Sequence, residues 1–394
     1  MPRTVVILGG SIGGLHVAHA ILKKHDETIK VILVTKNTHF YWNLASVRAI
    51  VPGQIKDEDI FKPLESALSR YPASSWELVI GTATAANFDA STVEVTLSSD
   101  GSERVITYDQ LVLATGSRCA VPSVPWKAAG SYEEALSTLH DTAAKVKAAE
   151  SIVVAGAGST GIEVAGELGY EFGKTKSITL LCAGDSLLGG HPAGPSAAAE
   201  LAKLNVAIKY RALVQSTRAN ATDAGKTDVV LSDGGSSGGG DATTAPAAAE
   251  TVITTDLYLP TTGLFPNTSY IPPIHLSTNP SSFGTVLVDE YLRVKDTANV
   301  WACGDVVGQP RAGFFITQKQ AAAVGRNVLA ALAGADPAVA KGPPVDILAC
   351  AVGRARGVGR VNGKIKLPSL VVWAVKGRTL ALGMVEGYVD GSVA

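Results

Sequence analysis

An α/β fold is predicted by three features of the sequence. The first is Val5-Val6-Ile7-Leu8, four consecutive apolar residues rich in β-branched types, running into Gly9-Gly10-Ser11-Ile12-Gly13-Gly14. The second is Ser151-Ile152-Val153-Val154-Ala155 followed by Gly156-Ala157-Gly158-Ser159-Thr160-Gly161, with three glycines at the dinucleotide-fingerprint spacing. The third is an apolar, strand-like last segment, Val345 to Tyr388, interspersed with Lys364, Lys366, Lys376 and Arg378. An unbroken apolar run reads as a buried parallel strand. The glycines after it allow a sharp turn into a helix whose free N–H groups and dipole favour a phosphate. Two such units predict two Rossmann-like dinucleotide-binding domains, and the third feature predicts a small C-terminal α+β domain.

Composition sets bounds on the rest. With 394 residues, 46% hydrophobic and 18% charged, the chain can bury large cores in two or three domains. A net charge of −1 gives no electrostatic footprint for nucleic acid. The four cysteines, Cys119, Cys182, Cys303 and Cys350, never form a Cys-x-x-Cys pair, which predicts a reducing compartment, small buried thiols and no redox-active dithiol. No metal site is expected. Met1 runs directly into the first strand without room for a signal peptide, Pro2 excludes N-myristoylation, and no apolar run reaches the ~18 residues of a spanning helix. The expectation is a cytoplasmic protein with at most peripheral membrane contact.

Along the chain, Leu15 to Lys24 reads as a helix and Lys30 to Thr35 as the second strand of a βαβ unit. An acidic residue is expected at that strand end to hold ribose hydroxyls, but Thr35-Lys36 stands there. Lys36 could approach the pyrophosphate or adenosine, or be a solvated loop lysine. An aromatic cluster, His39-Phe40-Tyr41-Trp42, leads into Arg48, which reads as a phosphate clamp or as a surface ion pair. Leu78–Ala83, Val93–Leu97 and Arg104–Thr107, with a turn at Asp100-Gly101, form a small sheet. The strand after Tyr108 ends on Ala114-Thr115-Gly116.

In the second unit, a helix over Ile162 to Tyr170 and a strand over Ser177 to Cys182 follow the glycines. Cys182 is neither the carboxylate that favours NADH nor an arginine for the 2′-phosphate of NADPH, and no arginine lies between it and Leu201, which tilts the reading to NADH. Asp233 to Glu250, rich in Gly, Ser and Ala, reads as a disordered, dispensable hairpin tip. Thr262-Gly263 then echoes Thr115-Gly116, Val300 to Asp305 is a strand ending on an aspartate, and Phe314 to Leu332 has helical composition.

This order of motifs resembles the flavoprotein reductases with two dinucleotide domains, and within them the branch of apoptosis-inducing factor, ferroptosis suppressor protein and type II NADH:quinone oxidoreductases. Asn43 to Arg48, Glu163 after Gly161-Ile162, and Gly353-Arg354-Ala355-Arg356-Gly357 carry the resemblance to that branch. It implies an FAD-binding domain from residues 1–120 and 266–335, an inserted NAD(P)H-binding domain over 121–265 with a flexible loop at 233–250, and a C-terminal domain over 336–394 that completes the acceptor site.

The resemblance also implies that FAD is held by Gly9, Gly10, Ser11, Gly13 and Gly14, with Arg48 near the pyrophosphate and Ala83 offering backbone to adenine. Ala114, Thr115 and Gly116 line the same cofactor. Asp305, after Gly304, would bind the ribityl or pyrophosphate region, a helix N-cap being its other reading. Thr317 and Gln318 would aim backbone N–H groups at the flavin. Gly156, Gly158, Gly161 and Gly263 would hold NAD(P)H. Ser11, Thr35-Lys36 and the missing lipidation glycine depart from the family's pattern.

The activity so implied is hydride transfer from NAD(P)H to FAD and reduction of a quinone-like aromatic acceptor, by a monomer or homodimer, with Glu163 and Lys376 facing the flavin as catalytic residues. The alternatives are a biosynthetic flavoenzyme acting on a specialised aromatic metabolite, or a redox-switched flavoprotein with an interaction role.

Overall fold

The computed structural model describes residues 2–24, 26–128, 130–233, 251–308, 313–342 and 345–394. Strand β1 (Arg3–Leu8) lies inside a seven-stranded sheet, parallel to β2 (Ile29–Thr35) on one side. Helix α1 (Ile12–Leu22) joins the two and begins immediately after the turn. Beyond β2 follow β3 (Trp76–Asn87), β4 (Thr92–Leu97) and β5 (Glu103–Thr107); on the other side of β1 lies β6 (Gln110–Leu113). Strand β3 does two jobs: Trp76 to Ile80 pair parallel with β2, and Gly81 to Asn87 pair antiparallel with β4 through a bulge at Ala83/Ala85.

Alternate residues of the central strands feed different cores. Val5, Ile7, Val31, Leu33 and Val112 are buried on one face, and Val6, Leu8, Ile32, Val34, Leu111 and Leu113 on the other. This two-sided burial is why β1 reads as continuously apolar, and each such side chain contributes roughly 1.5–3 kcal/mol against exposure.

The second unit is built around β7 (Ser151–Ala155), joined through α2 (Ser159–Phe172) to β8 (Ser177–Leu181). Helix α3 (Gly194–Lys203) leads to β9 (Val206–Lys209). An antiparallel sheet of β10 (Ala212–Ala219), β11 (Thr227–Asp233) and β12 (Thr251–Thr255) precedes β13 (Leu257–Pro260), and the parallel order is β9-β8-β7-β13. Strands β11 and β12 pair antiparallel, and the loop between them lies outside the described residues. The chain then returns to the first sheet through β14 (Val300–Ala302), parallel to β6, and α4 (Phe314–Leu332).

The last segment departs from its strand-like reading. Only its first half is sheet: β15 (Ile347–Val352), β16 (Arg356–Val361) and β17 (Ile365–Lys366). After Pro368 the backbone coils through Ser369–Val372 and a wide turn at Trp373–Gly377, and later Val385–Val389 is helical. Packing overrides β-propensity here. Val372 is buried against Gly357 and Gly359, where any added Cβ would press on its side chain.

The same segment covers the first helix. Trp42 Nε1 donates to the Leu380 carbonyl at 3.0 Å, and the Tyr388 ring stacks on Phe40 at 5.7 Å. Lys23 Nζ donates to the carbonyls of Gly391 and Ala394. Beneath this cover α1 buries His16, 3% exposed, and His19, 0% exposed, whose Nδ1 meets the Tyr71 hydroxyl at 2.8 Å. Burial, joined by Lys23 at His16 and by Arg70 and Lys23 at His19, pushes both imidazoles down to about 4.

Because these pKa values are depressed from about 6.5, the unfolded chain takes up protons that the folded chain refuses as pH falls from about 6.5 to 4, so stability drops through that window. The loss is on the order of 3 kcal/mol per histidine below it. Nδ1 of His16 has no hydrogen-bond partner among the described residues. Urea midpoints measured from pH 7 to 4.5 should therefore fall steadily for the native chain and less steeply for His16→Leu. An identical slope in the variant would remove His16 from the account.

Candidate active site

Both glycine turns have the same geometry. Gly9 has φ +109° and Gly156 φ +111°, values that L side chains rarely adopt. A Cβ on Gly14 would overlap the Gly9 carbonyl oxygen, and one on Gly161 would overlap that of Gly156, so in each turn the third glycine lets the helix close on the strand. The second positions, Ser11 and Gly158, are both extended, at φ −101° and −75°. Glycine's conformational range is not needed there, which explains why serine is accepted. The Ser11 side chain is exposed at the start of α1, and an added Cβ at Gly158 would meet open space.

Around the first cradle the structure gathers residues from distant parts of the chain. The Ala114 N–H donates to the Leu8 carbonyl at 2.8 Å, and the Ala114 carbonyl lies against Gly9. Thr115 and Gly116 bind Asn267, through Thr115 Oγ1 to its carbonyl at 2.7 Å and the Asn267 N–H to the Gly116 carbonyl at 2.9 Å. Gly263, at φ +73°, precedes the short strand Leu264–Pro266 and accepts a bond from the Ala120 N–H. It shapes the crossing between the two units. Thr317, near the N-terminus of α4, places its methyl close to both Gly13 and Gly304. Gln318 is half-buried one residue on, Lys36 is exposed at the end of β2, and Ala83 pairs with Val95 beside the β3 bulge.

Asp305 sits in the turn after β14 and does not cap α4, a position taken by Gly313. Its Oδ2 accepts bonds from Lys127 Nζ at 2.7 Å and Ser117 Oγ at 2.8 Å. Burial works to raise this carboxyl, and Lys127 with Ser117 outweighs it, holding the pKa below the usual value. The Gly304 N–H donates to Gln320 Oε1 at 2.8 Å. No sequence signal marked Lys127, Ser117 or Gln320, because each acts on a residue 16 to 188 positions away. The glycine turn opening onto the start of α1, and the strand-end carboxylate of Asp305 close to the start of α4, fit FAD. The second cradle fits the pyrophosphate of NAD(P)H.

Arg48 corrects the expectation of a pyrophosphate clamp. Its Nε and Nη2 donate to Glu167 Oε1 at 2.9 and 2.7 Å, and its Nη2 and Nη1 reach the carbonyls of Gly377 and Arg378. The guanidinium is committed because Glu167, 1% exposed on α2, requires a counter-charge. Arg354 Nε binds the other carboxylate oxygen at 3.1 Å and extends to Glu171.

One turn earlier on α2, Glu163 Oε1 meets Lys376 Nζ at 2.5 Å and accepts the Ala351 N–H at 3.1 Å. Lys376 also donates to the Ala349 carbonyl. Glu163 and Lys376 thus meet across the edge of β15, a contact that the sequence did not indicate. Burial works to lower the Lys376 ammonium, and Glu163 with neighbouring Cys350 outweighs it, so its pKa lies above the ordinary value. Burial, with Glu163 adding to it, pushes the Cys350 thiol well up, leaving a neutral group.

A chain that builds the same strand-turn-helix cradle twice falls in the class of oxidoreductases that carry two dinucleotides at once. Residues 3–324 match the Pyridine nucleotide-disulphide oxidoreductase family, and this chain belongs to it. It is an NAD(P)H-dependent flavin oxidoreductase with FAD and NAD(P)H as cofactors. It is 35% identical over 397 residues to oxidoreductase ptaL of Pestalotiopsis fici, covering 99% of this chain and 100% of that protein. Oxidoreductase phnG of Penicillium herquei is 28% identical, covering 99% and 96%. Human (Homo sapiens) ferroptosis suppressor protein 1 is 25% identical, covering 95% and 93%. The same fold occurs in the sulfide:quinone oxidoreductase of Aquifex aeolicus, at TM-score 0.73 and 18% identity over 100% of this chain and 92% of that one. All four cysteines are free.

The matched third glycines allow the cradles to be tested separately. Gly14→Ala should purify with little flavin, whereas Gly161→Ala should keep its flavin and raise the NADH concentration for half-maximal flavin reduction by about tenfold, as expected for ~1.4 kcal/mol of lost binding. Flavin absorbance per chain, stopped-flow reduction and circular dichroism check both. Full flavin in a folded Gly14→Ala protein would reassign the first cradle.

Proposed function

We propose that the enzyme delivers the electrons of NAD(P)H to a quinone-like aromatic acceptor held beside Lys376. The observation that carries this reading is the buried Glu163–Lys376 pair, where the helix of the second cradle meets the C-terminal sheet. Without a Cys-x-x-Cys pair there is no dithiol relay, so an acceptor must approach the flavin closely, which favours a flat aromatic oxidant. Bound FAD supplies the two-electron exchange.

The chain's own groups supply binding and charge. Gly156 to Gly161 and the start of α2 hold the dinucleotide phosphates. Lys376, kept protonated by Glu163, donates a hydrogen bond from Nζ to the acceptor's carbonyl oxygen and stabilises the negative charge that develops there. Glu163 orients that ammonium. NAD(P)H gives up a hydride and becomes NAD(P)+, and the acceptor takes those two electrons with that proton and one further proton from water in becoming the hydroquinone.

The higher identity to two fungal oxidoreductases than to ferroptosis suppressor protein 1 supports a second acceptor class, a specialised aromatic metabolite. A panel of simple quinones separates the two, since rapid reoxidation by them supports the first.

Lys376→Met should retain FAD and its reduction by NAD(P)H while slowing reoxidation by quinone about 10- to 100-fold, in the range of losing one charge-stabilising donor. Glu163→Gln should slow both half-reactions. Stopped-flow traces of each half provide the measurement, with flavin content as the control for folding. Reoxidation at the native rate in Lys376→Met would reject the lysine's role.

A further inference from the structure

The adenosine side of the second cradle lacks its expected selector. Cys182, at the strand end where a carboxylate is expected, is 3% exposed and turns its thiol to the Ser186 carbonyl at 3.3 Å. It is closed off from a ribose. The chain beyond it folds back on the glycine turn: the Gly156 N–H donates to the Leu181 carbonyl at 3.0 Å, and the Leu188 N–H donates to the Ala157 carbonyl at 2.8 Å. Residues 183–187 are therefore held beside the nucleotide cradle, and Asp185 is the carboxylate among them.

Asp185 is paired with Arg211 Nε. Arg211 follows β9, the next parallel strand, and its N–H donates to the Gly184 carbonyl at 3.1 Å. Its backbone is in the left-handed region, φ +53°, a costly conformation for arginine that the surrounding bonds impose. Both side chains are about 70% exposed, at 70% and 71%, so water screens their attraction and the pair can exchange partners. This arginine lies beyond Leu201 in the sequence and reaches the turn from the end of the following strand.

We propose that Asp185 and Arg211 together read the 2′ position of the adenosine ribose and make the enzyme select NADH over NADPH. This rests on the second glycine turn being the NAD(P)H cradle. The Asp185 carboxylate accepts the 2′-hydroxyl hydrogen of NADH, as the strand-end acid does in other dinucleotide folds. A 2′-phosphate brings two negative charges to the same place; Asp185 repels them and competes for the one guanidinium that could bind them. Removing the charge of Asp185 frees Arg211, whose fork matches phosphate oxygens, and the selection reverses.

The test uses the FAD-loaded enzyme and two probes that carry only the adenosine half: 5′-AMP and adenosine 2′,5′-bisphosphate. Their dissociation constants are read by calorimetry and by competition with NADH in flavin reduction. The native enzyme is expected to favour 5′-AMP. Asp185→Asn should shift the ratio of the two constants at least tenfold toward the bisphosphate, and Asp185→Asn/Arg211→Gln should lose that gain. The ratio of kcat/KM for NADPH to that for NADH should move in the same direction. If both probes bind and compete but the ratio stays within twofold in Asp185→Asn, the assignment of the pair is overturned while the cradle stands. If neither probe competes with NADH, the cradle itself is misplaced and the proposal falls with it.

Discussion

The carboxylate of Glu167 constrains the whole molecule. It is almost completely withdrawn from water on the helix of the second nucleotide unit, and it is neutralised by Arg48 from the first unit and Arg354 from the C-terminal sheet. Leaving such a charge without partners costs about 3–5 kcal/mol, so the three parts of the chain are tied to one another at a single point. Arg48 then continues to the carbonyls of Gly377 and Arg378, immediately after Lys376. Glu163 lies one helical turn before Glu167 and so on the same face. The clamp that joins the units thus also sets the position at which Glu163 and Lys376 meet.

Much of the fold was legible because it is local. A strand, a glycine turn and a helix are specified within about fifteen residues, and the apolar run, the positive-φ glycine and the close-packed third glycine each leave a mark in the sequence. The meander after Trp76 was similarly visible through its alternation and its Asp100-Gly101 turn. What escaped depends on distance or on competition between local and tertiary preferences. Arg48 carries the same side chain whether it binds a phosphate or a carboxylate 119 residues away. Val371 and Val372 suggest strand, yet they coil because Val372 fits the space left by two glycines of β16.

The site residues divide along the same line. Glycines 9, 14, 156 and 161 could be named from spacing because the backbone itself requires them. Lys127, Ser117 and Gln320 could not, since each is a polar group brought by the fold to a residue that was already conspicuous. Ser11 shows that a departure from a motif can be physically small: the position is extended, so a side chain adds a hydroxyl without disturbing the turn. Cys182 shows a larger one, where the expected polar group is replaced by a buried thiol.

Lys376 and the covering segment after it follow both glycine cradles in the chain, and this imposes an order on synthesis. The nucleotide units emerge from the ribosome first and can close around their own parallel sheets, as domains generally do during translation. At that stage Glu163 and Glu167 lie on α2 without the lysine and the second arginine that neutralise them, and His16 and His19 lack the cover of Tyr388. A nascent chain is thus able to acquire its nucleotide pockets before the partner of Glu163 exists. Assembly of the electron exit is deferred to the final stretch of translation, so a ribosome that stalls inside the C-terminal sheet leaves a chain with both cradles and no completed Glu163–Lys376 pair.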